Sequence, residues 1–463
     1  MKAIRAVDAA AAATAPRWSR EWIYFSFVMA AWCFTPLLRR LIDYRSGGFS
    51  AVQITSLIPF LMLVPLALLC FRKERLARLT PLLRVLAYVW LATFAYGFAI
   101  AAAVGSINAA VFELVQYLVP MLGGIWLAQQ ELPLEGAARR LTAIVLPCAA
   151  VVAVYGLIQW IQPSPWDAMW VEGSGFAPVV GMPLPFAMRV FSTLNSPGPA
   201  ADFFALTMLL TLPLLRLRNI WTWPLFAALG AALLLTLIRE AWVGLLVGTL
   251  VYLLMSPRRF AALPALAAYA ILLGFFVSSL PALLGSGPNA DVIVSRISTF
   301  GDVAHDESAV TRQNEINDAL TAGLANPIGA GLGTVGTAAK LGSNPLSSVV
   351  GNVLDSGYLS RLLELGWLGT IGYLAVVLGG PIALAIALLQ RGSALGIDAR
   401  VAGATAVAMC AALAWGDAAN DAHLGFDGFF FWIALGLGSL ALQPSATRAP
   451  APVRGTLLQR VRS

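Results

Sequence analysis

The sequence predicts an all-α, polytopic membrane protein of about twelve transmembrane helices, with a large, partly helical periplasmic loop before the tenth. Three observations predict it. Of 463 residues, 59% are hydrophobic and only 11% are charged, with a mean hydropathy of +0.79, a balance that soluble domains do not carry. Apolar runs of about 20 residues recur along the chain, the length needed to cross a bilayer as a helix. Basic residues stand in short clusters between these runs, the distribution that orients spans with their positive ends inside. The net charge of +7 is thereby read as membrane orientation, and no nucleic-acid partner is expected.

The chain then reads in order. Residues 1–21 form an Ala-rich cytoplasmic arm with Lys2, Arg5, Arg17 and Arg20. The apolar run from Trp22 is long and no small-residue cleavage site follows it, so it is expected to stay as the first span. Spans are predicted over 22–38, 52–71, 82–101, 108–128, 141–161, 202–217, 220–238, 240–256, 261–284, 367–389, 401–418 and 426–443. The clusters Arg72-Lys73-Glu74-Arg75, Arg139-Arg140, Arg216 with Arg218, Arg258-Arg259, Arg391 with Arg400, and the tail from Arg448 place both termini in the cytoplasm. Arg39-Arg40 with Arg45 is the exception, falling outside.

This orientation leaves two long segments on the periplasmic side. One, 162–201, interrupts the first nine spans (22–284); the other, 285–364, precedes the last three (365–443). Long segments in a compact bundle are usually functional or disordered. In the second, Ser308 can cap a helix that Asn326-Pro327 stops near Leu324, which argues for order. The Ala/Pro/Arg-rich tail, 444–463, is expected to be disordered and cytoplasmic. Cys33, Cys70, Cys148 and Cys410 lie in or beside apolar spans and read as small buried hydrophobes, with no disulfide or zinc spacing. Two histidines, His305 and His423, are too few for a histidine metal cage.

Several polar groups stand out in so apolar a chain. The pair Arg239-Glu240, flanked by apolar residues, is a functional candidate because ionisable groups there are costly; snorkelling to the interface is the alternative. Arg189, with Ser192, Thr193 and Asn195 and the stiffening prolines Pro197 and Pro199, suits a phosphate or a sugar. Arg296 and Arg312 lie in the large outer loop as substrate-binding or solvated arginines. The run Gly329, Gly331, Gly333, Gly336 contains G-x-G-x-x-G. It follows a helix rather than a strand, so a tight turn that lets backbone approach a neighbour is the better reading than a nucleotide loop.

Asp355-Ser356 precedes a helical pattern that runs from Tyr358 through Gly366 and Gly369 into a span. The carboxylate is read either as a cap or as a general base on a sugar hydroxyl at the membrane edge. Glu113 and Gln116 share one face of the fourth span, where pairing with an arginine and catalysis are equal alternatives. Asp417 and Asp421 lie one turn apart at the outer end of the eleventh span. Asp302, His305, Asp306 and Glu307 are read as a solvated loop before a divalent-ion site.

Together these stretches resemble the bacterial O-antigen ligase and polymerase superfamily of membrane glycosyltransferases. The residues that carry the resemblance are Asp355-Ser356, nine residues, then Gly366-Trp367-Leu368-Gly369; Arg312 with Ala319-Leu320, Asn326-Pro327 and the glycine run; Thr236-Leu-Ile-Arg239; and Arg189. The ligase motif opens with histidine where Asp355 stands, and family members commonly carry Ser where this chain has Ile238. The resemblance implies an inverting glycosyltransferase at the periplasmic face of the inner membrane, acting on a polyprenyl-pyrophosphate-linked glycan. Arg189 and Arg239 would serve the pyrophosphate and Asp355 the acceptor. Arg312, Arg296, Glu240, Ser356 and Tyr358 would line the substrate. No metal or cofactor is expected, since fixed arginines can stabilise a leaving pyrophosphate.

Asp is intrinsically a weaker base than His. Because the family's ligases resemble one another in carrying histidine here while its polymerases vary more at this position, aspartate shifts the expectation from ligase toward polymerase of O-antigen, capsule or exopolysaccharide repeat units. The implied partners are the lipid-linked donor, a glycan acceptor, membrane lipids, and a chain-length regulator and flippase of the same pathway. A ligase to a lipid A-core acceptor, an inorganic-carbon-like transporter and a structural export component are the alternatives. Matched broken helices in two halves would favour transport, and the sequence shows none.

Overall fold

The computed structural model describes residues 18–50, 53–132, 134–215, 222–284, 307–341, 356–392 and 394–443. Arg296, Asp302, His305, Asp306, Asp355, most of the N-terminal arm and the tail from 444 lie outside them. Among the described residues the chain is all helical, with no strand. The longer helices are α1 (Arg20–Ser46), α2 (Ile58–Cys70), α3 (Pro81–Ala103), α4 (Ile107–Ala128), α5 (Leu134–Ile161), α6 (Pro165–Ser174), α7 (Pro197–Thr211) and α8 (Thr222–Leu235). They continue with α9 (Arg239–Met255), α10 (Leu263–Leu284), α11 (Glu307–Ala325), α12 (Gly357–Val377), α13 (Gly379–Gln390), α14 (Ile397–Gly416) and α15 (Gly425–Ala441). Among the described residues, 7 helical stretches are long and apolar enough to cross a membrane, α12 and α13 counting as one, and α2, α8, α10 and α15 supply shorter apolar helices. The chain is a multi-pass membrane protein.

Helix ends follow local chemistry. Ser19 caps α1 by accepting from Trp22 N, and Gly47 closes it in the left-handed region. Thr80 caps α3 with Pro81 at its first position. Asn326-Pro327 ends α11 at Ala325, as the sequence predicts.

α15 is the central post, and nearly every residue from Gly425 to Ala441 is buried. It packs on α4 and α14. Gly124 and Gly436 let the α4 and α15 backbones touch: a Cβ on Gly124 would overlap Trp432 O, and one on Gly436 would overlap Gly124 O. Gly248 faces Ala408 O in the same way where α9 crosses α14. Small residues at such crossings are the usual means of close packing inside a bilayer, where tails are as apolar as leucine. The aromatic side of the core stacks Phe25 on Trp126 and Phe94 on Tyr117.

The outlying pair Arg39-Arg40 finds its explanation here. Arg40 is fully buried and donates to Asp167 Oδ1 at 2.6 Å and to Ser192 O at 2.6 Å, tying α1 to α6 and to the 162–201 loop. Tyr155 and Gln159 donate to Asp167 Oδ2 at 2.8 and 2.9 Å. Burial pushes the Asp167 carboxyl up, and Arg40 pulls it back. Removing one partner of a buried pair strands the other. Arg40→Met should therefore cost about 3–5 kcal/mol in chemical unfolding, and Arg40→Met with Asp167→Leu markedly less.

Candidate functional site

A polar cavity of about 530 Å³ opens among α1, α2, α4, α12 and the turn before α15, a size ordinary for a ligand site. Its charged lining is Arg39, Glu113, Arg361, Asp421 and Asp427; Gln116, Asn195, Ser196, Ser360 and Asn420 add neutral polar groups. Trp32, Leu57, Phe60, Phe112, Leu194 and Phe426 form its apolar wall.

Arg361 organises the site. It sits on the second turn of α12 and is 1% exposed. Its Nη1 lies 2.6 Å from Glu364 Oε2, its Nη2 donates to Asp421 Oδ2 at 3.1 Å, and its guanidinium carbon is 4.7 Å from the Tyr117 ring centre. The Tyr117 hydroxyl donates to both Asp421 oxygens, at 2.9 and 2.8 Å. Burial pushes the Asp421 carboxyl up, while Arg361 and the Tyr117 hydroxyl act to lower it. Glu364, fully buried, accepts from Gly333 N at 3.0 Å and Val335 N at 3.1 Å. The guanidinium is thus clamped by helix spacing on one side and by the turn before α15 on the other.

The glycine loop builds that clamp. The sequence reading carries the helix through Gly366; the structure breaks it there, with φ 60 and ψ −164, a conformation open essentially to glycine alone. The break frees backbone groups, and the loop at 327–331 takes them up. Trp367 N donates to Pro327 O at 3.0 Å, Ala330 N to Leu363 O at 2.9 Å, and Gly331 N to Glu364 O at 2.9 Å. A buried helix break needs such internal partners for the backbone groups it frees. A Cβ on Gly329 would overlap Glu364 O, and one on Gly331 would press on Ala101. Close backbone approach, read from the sequence as the purpose of the glycine run, is what these residues provide.

A second latch fixes the start of α12. Ser356, not the preceding aspartate, is its N-cap: Oγ accepts from Leu359 N at 3.5 Å and donates to Asp417 O at 3.4 Å. Gly357 N donates to Asp417 O at 2.9 Å, and a Cβ there would overlap Asp417 Oδ1. Asp417 is itself held by Ala422 N at 3.1 Å and the Tyr373 hydroxyl at 2.9 Å, with His423 Nδ1 at 3.1 Å.

Across the cavity, Arg39 is held by Ser50 O at 2.7 Å, Ser56 Oγ at 3.3 Å and Asp43 Oδ2 at 3.8 Å, with the Trp170 ring 5.1 Å away. Ser196, the residue before α7, lines the same space, so the positive end of that helix faces it. Two arginines and a helix N-terminus can meet an anion, although three carboxyl groups, Glu113, Asp421 and Asp427, share the lining. On the α4 side, Glu113 is 3% exposed and its Oε2 has no hydrogen-bond partner among the described residues. A carboxylate oxygen so placed can accept from a hydroxyl.

The other residues singled out from the sequence are distributed as follows. Asp355 and Arg296 lie outside the described residues. Arg312 is on α11, with its side chain also outside them. Arg239 and Glu240 open α9, and Glu240 lies within electrostatic reach of Asp202, which accepts from Asn420 at 3.4 Å. Arg189 lines a separate, much smaller cavity with Trp160, Leu235, Leu237 and Phe276. It adjoins the turn before α9 through Val190 N to Leu235 O at 3.0 Å. The structure thus brings Arg189 and the Arg239 turn together, but neither arginine lines the large cavity. Tyr358 donates its hydroxyl to Ala414 O at 2.6 Å, a packing bond between α12 and α14.

Sequence reading did not single out Arg361, Glu364 or Tyr117, nor the cavity-facing place of Arg39. The signal for the first two was present: an ionisable pair three residues apart in an apolar helix.

Residues 224–374 match the family model described as O-antigen ligase. The matched stretch runs from α8 into α12 and includes Arg239, the glycine loop, Arg361 and Glu364. It supports the O-antigen ligase/polymerase-like superfamily that the motifs resemble. No curated protein matches the chain.

Proposed function

We propose that this O-antigen ligase-like chain is an inverting glycosyltransferase of the bacterial inner membrane. It extends glycans by polymerising repeat units carried on polyprenyl pyrophosphate. The observation that carries this reading is Arg361, buried and fixed at the wall of a cavity that is polar on one side and apolar on the other. The pyrophosphate lies between Arg361, Arg39 and the N-terminus of α7, with the prenyl chain leaving along the apolar wall. A carboxylate takes the proton from the acceptor hydroxyl. The deprotonated acceptor oxygen attacks the anomeric carbon from the face opposite the pyrophosphate, and the sugar–phosphate bond breaks with both electrons going to the leaving phosphate. The positive groups stabilise charge as it develops there.

Glu113, with its unpartnered oxygen at the cavity, is the proposed base among the described residues. Asp355, proposed on the motif, competes with it for that role. Glu113→Gln and Asp355→Asn separate the two, since only loss of the true base stops transfer while donor binding persists. Arg189, Arg239, Arg312, Arg296, Glu240, Ser356 and Tyr358 are kept as proposed contacts along the path of the growing glycan. A chain-length regulator and a flippase are proposed as partners.

The lipid-linked glycan of a strain lacking the protein tests the reading. Polymerase function predicts that single repeat units accumulate and long chains vanish. Long chains that persist on the lipid carrier without reaching an acceptor would make the protein a ligase. An unchanged profile would exclude both. The chemistry is proposed to need no metal, so purified protein should transfer at an unchanged rate in excess chelator. Activity lost to chelation and restored by a divalent cation would contradict that.

A further inference from the structure

A second polar cavity, of about 580 Å³, lies at the other end of the same helices. α1 runs from Arg20 at this cavity to Arg39 at the first, 19 residues or about 28 Å along a helix. α4 likewise runs from Glu113 at the first cavity to Ala128 beside the second, 15 residues or about 22 Å along a helix. The two cavities therefore open at opposite faces of the membrane.

The second cavity is lined by Arg20, Arg72, Arg75, Arg78 and Arg140 against Glu21, Glu74 and Glu131. Arg75 forks onto both Glu21 oxygens, at 3.0 and 2.5 Å, and Arg78 pairs with Glu131. Arg140 lies over the Trp18 and Trp22 rings, at 5.9 and 5.7 Å. Arg20 and Arg72 form no close ion pair among the described residues, although Arg72 lies within electrostatic reach of Glu21, and five arginines against three glutamates leave the pocket a positive surplus. Tryptophans at this level mark the headgroup zone. An arginine-lined concavity between helix ends in that zone has the chemistry of a phosphate receptor.

We propose that this cavity binds the phosphate of an anionic phospholipid, held chiefly by Arg20 and Arg72. The site is separate from the transfer cavity, and the inference does not depend on the reaction assigned there. A lipid so placed would bridge the start of α1 to the α2–α3 turn and the α4–α5 turn.

Native mass spectrometry of the whole protein in neutral detergent tests it, with phosphatidylglycerol, phosphatidylcholine of the same chains, or inorganic phosphate added. Phosphatidylglycerol should bind and phosphatidylcholine should not. The exposed positions allow Arg20→Gln with Arg72→Gln in a folded protein. That double variant should bind phosphatidylglycerol about thirtyfold more weakly, from two basic side chains at an anionic headgroup. Arg259→Gln, in another basic cluster, should leave affinity unchanged. Equal binding of the two lipids, or a double variant that matches the native protein, would overturn the proposal. Tight binding of inorganic phosphate without phosphatidylglycerol would overturn the lipid as its source.

Discussion

Arg361→Gln is expected to lower the proposed glycan transfer and to destabilise the protein together. The guanidinium neutralises Glu364 and partly neutralises Asp421, and it rests on Tyr117. Glutamine leaves a fully buried Glu364 facing no cation, which costs about 3–5 kcal/mol for a stranded buried charge. If the same group also faces the pyrophosphate, its loss lowers the transfer rate by a further factor of about 10²–10³. Two variants separate the effects. Arg361→Lys keeps the charge but not the planar fork, so it should hold most of the stability and still lose most of the transfer. Arg39→Gln lies outside the Arg361 network; it removes the cation beside buried Asp43 and so costs some stability, but in protein that remains folded it should still impair transfer. Normal transfer in both would remove the pyrophosphate from this cavity.

Gly366→Ala is the second large effect. A side chain there meets Pro327 O and sits at a φ of 60 with ψ −164. The backbone strain and the overlap together should cost about 3–5 kcal/mol. The loop at 327–331 would be expelled from the break, and Glu364 would lose the amides of Gly333 and Val335. Transfer should fall with stability in this variant. Measured side by side, Ala at Gly336, where a Cβ has open space and only the positive φ resists it, should cost less.

The spans were legible because the bilayer imposes a length and a polarity that composition alone reports. Predicted limits such as 82–101 and 108–128 fall within a few residues of α3 and α4. The close approach of the glycine run was legible for the same kind of reason: glycine is informative where backbone must touch backbone. What the sequence hid is pairing. Tyr117, Arg361 and Asp421 come from three elements far apart in the chain, and no local pattern joins them. Arg39 was counted as an orientation signal because its partners, Ser50, Ser56 and the Trp170 ring, are supplied by tertiary structure. The helix through Gly366 was misread because a break stitched by another loop has the same apolar periodicity as a continuous helix. The ion pair of Arg361 with Glu364 was open to view as two ionisable groups three residues apart in an apolar helix.

The most direct test uses purified protein in lipid nanodiscs and polyprenyl-pyrophosphate-linked repeat units taken from a strain that lacks it. The expected result is longer glycan with release of one polyprenyl pyrophosphate per unit added, and loss of both products in folded Arg39→Gln and Arg361→Lys proteins. Turnover undiminished in those variants, or no turnover by the native protein, would contradict a transfer site at Arg361.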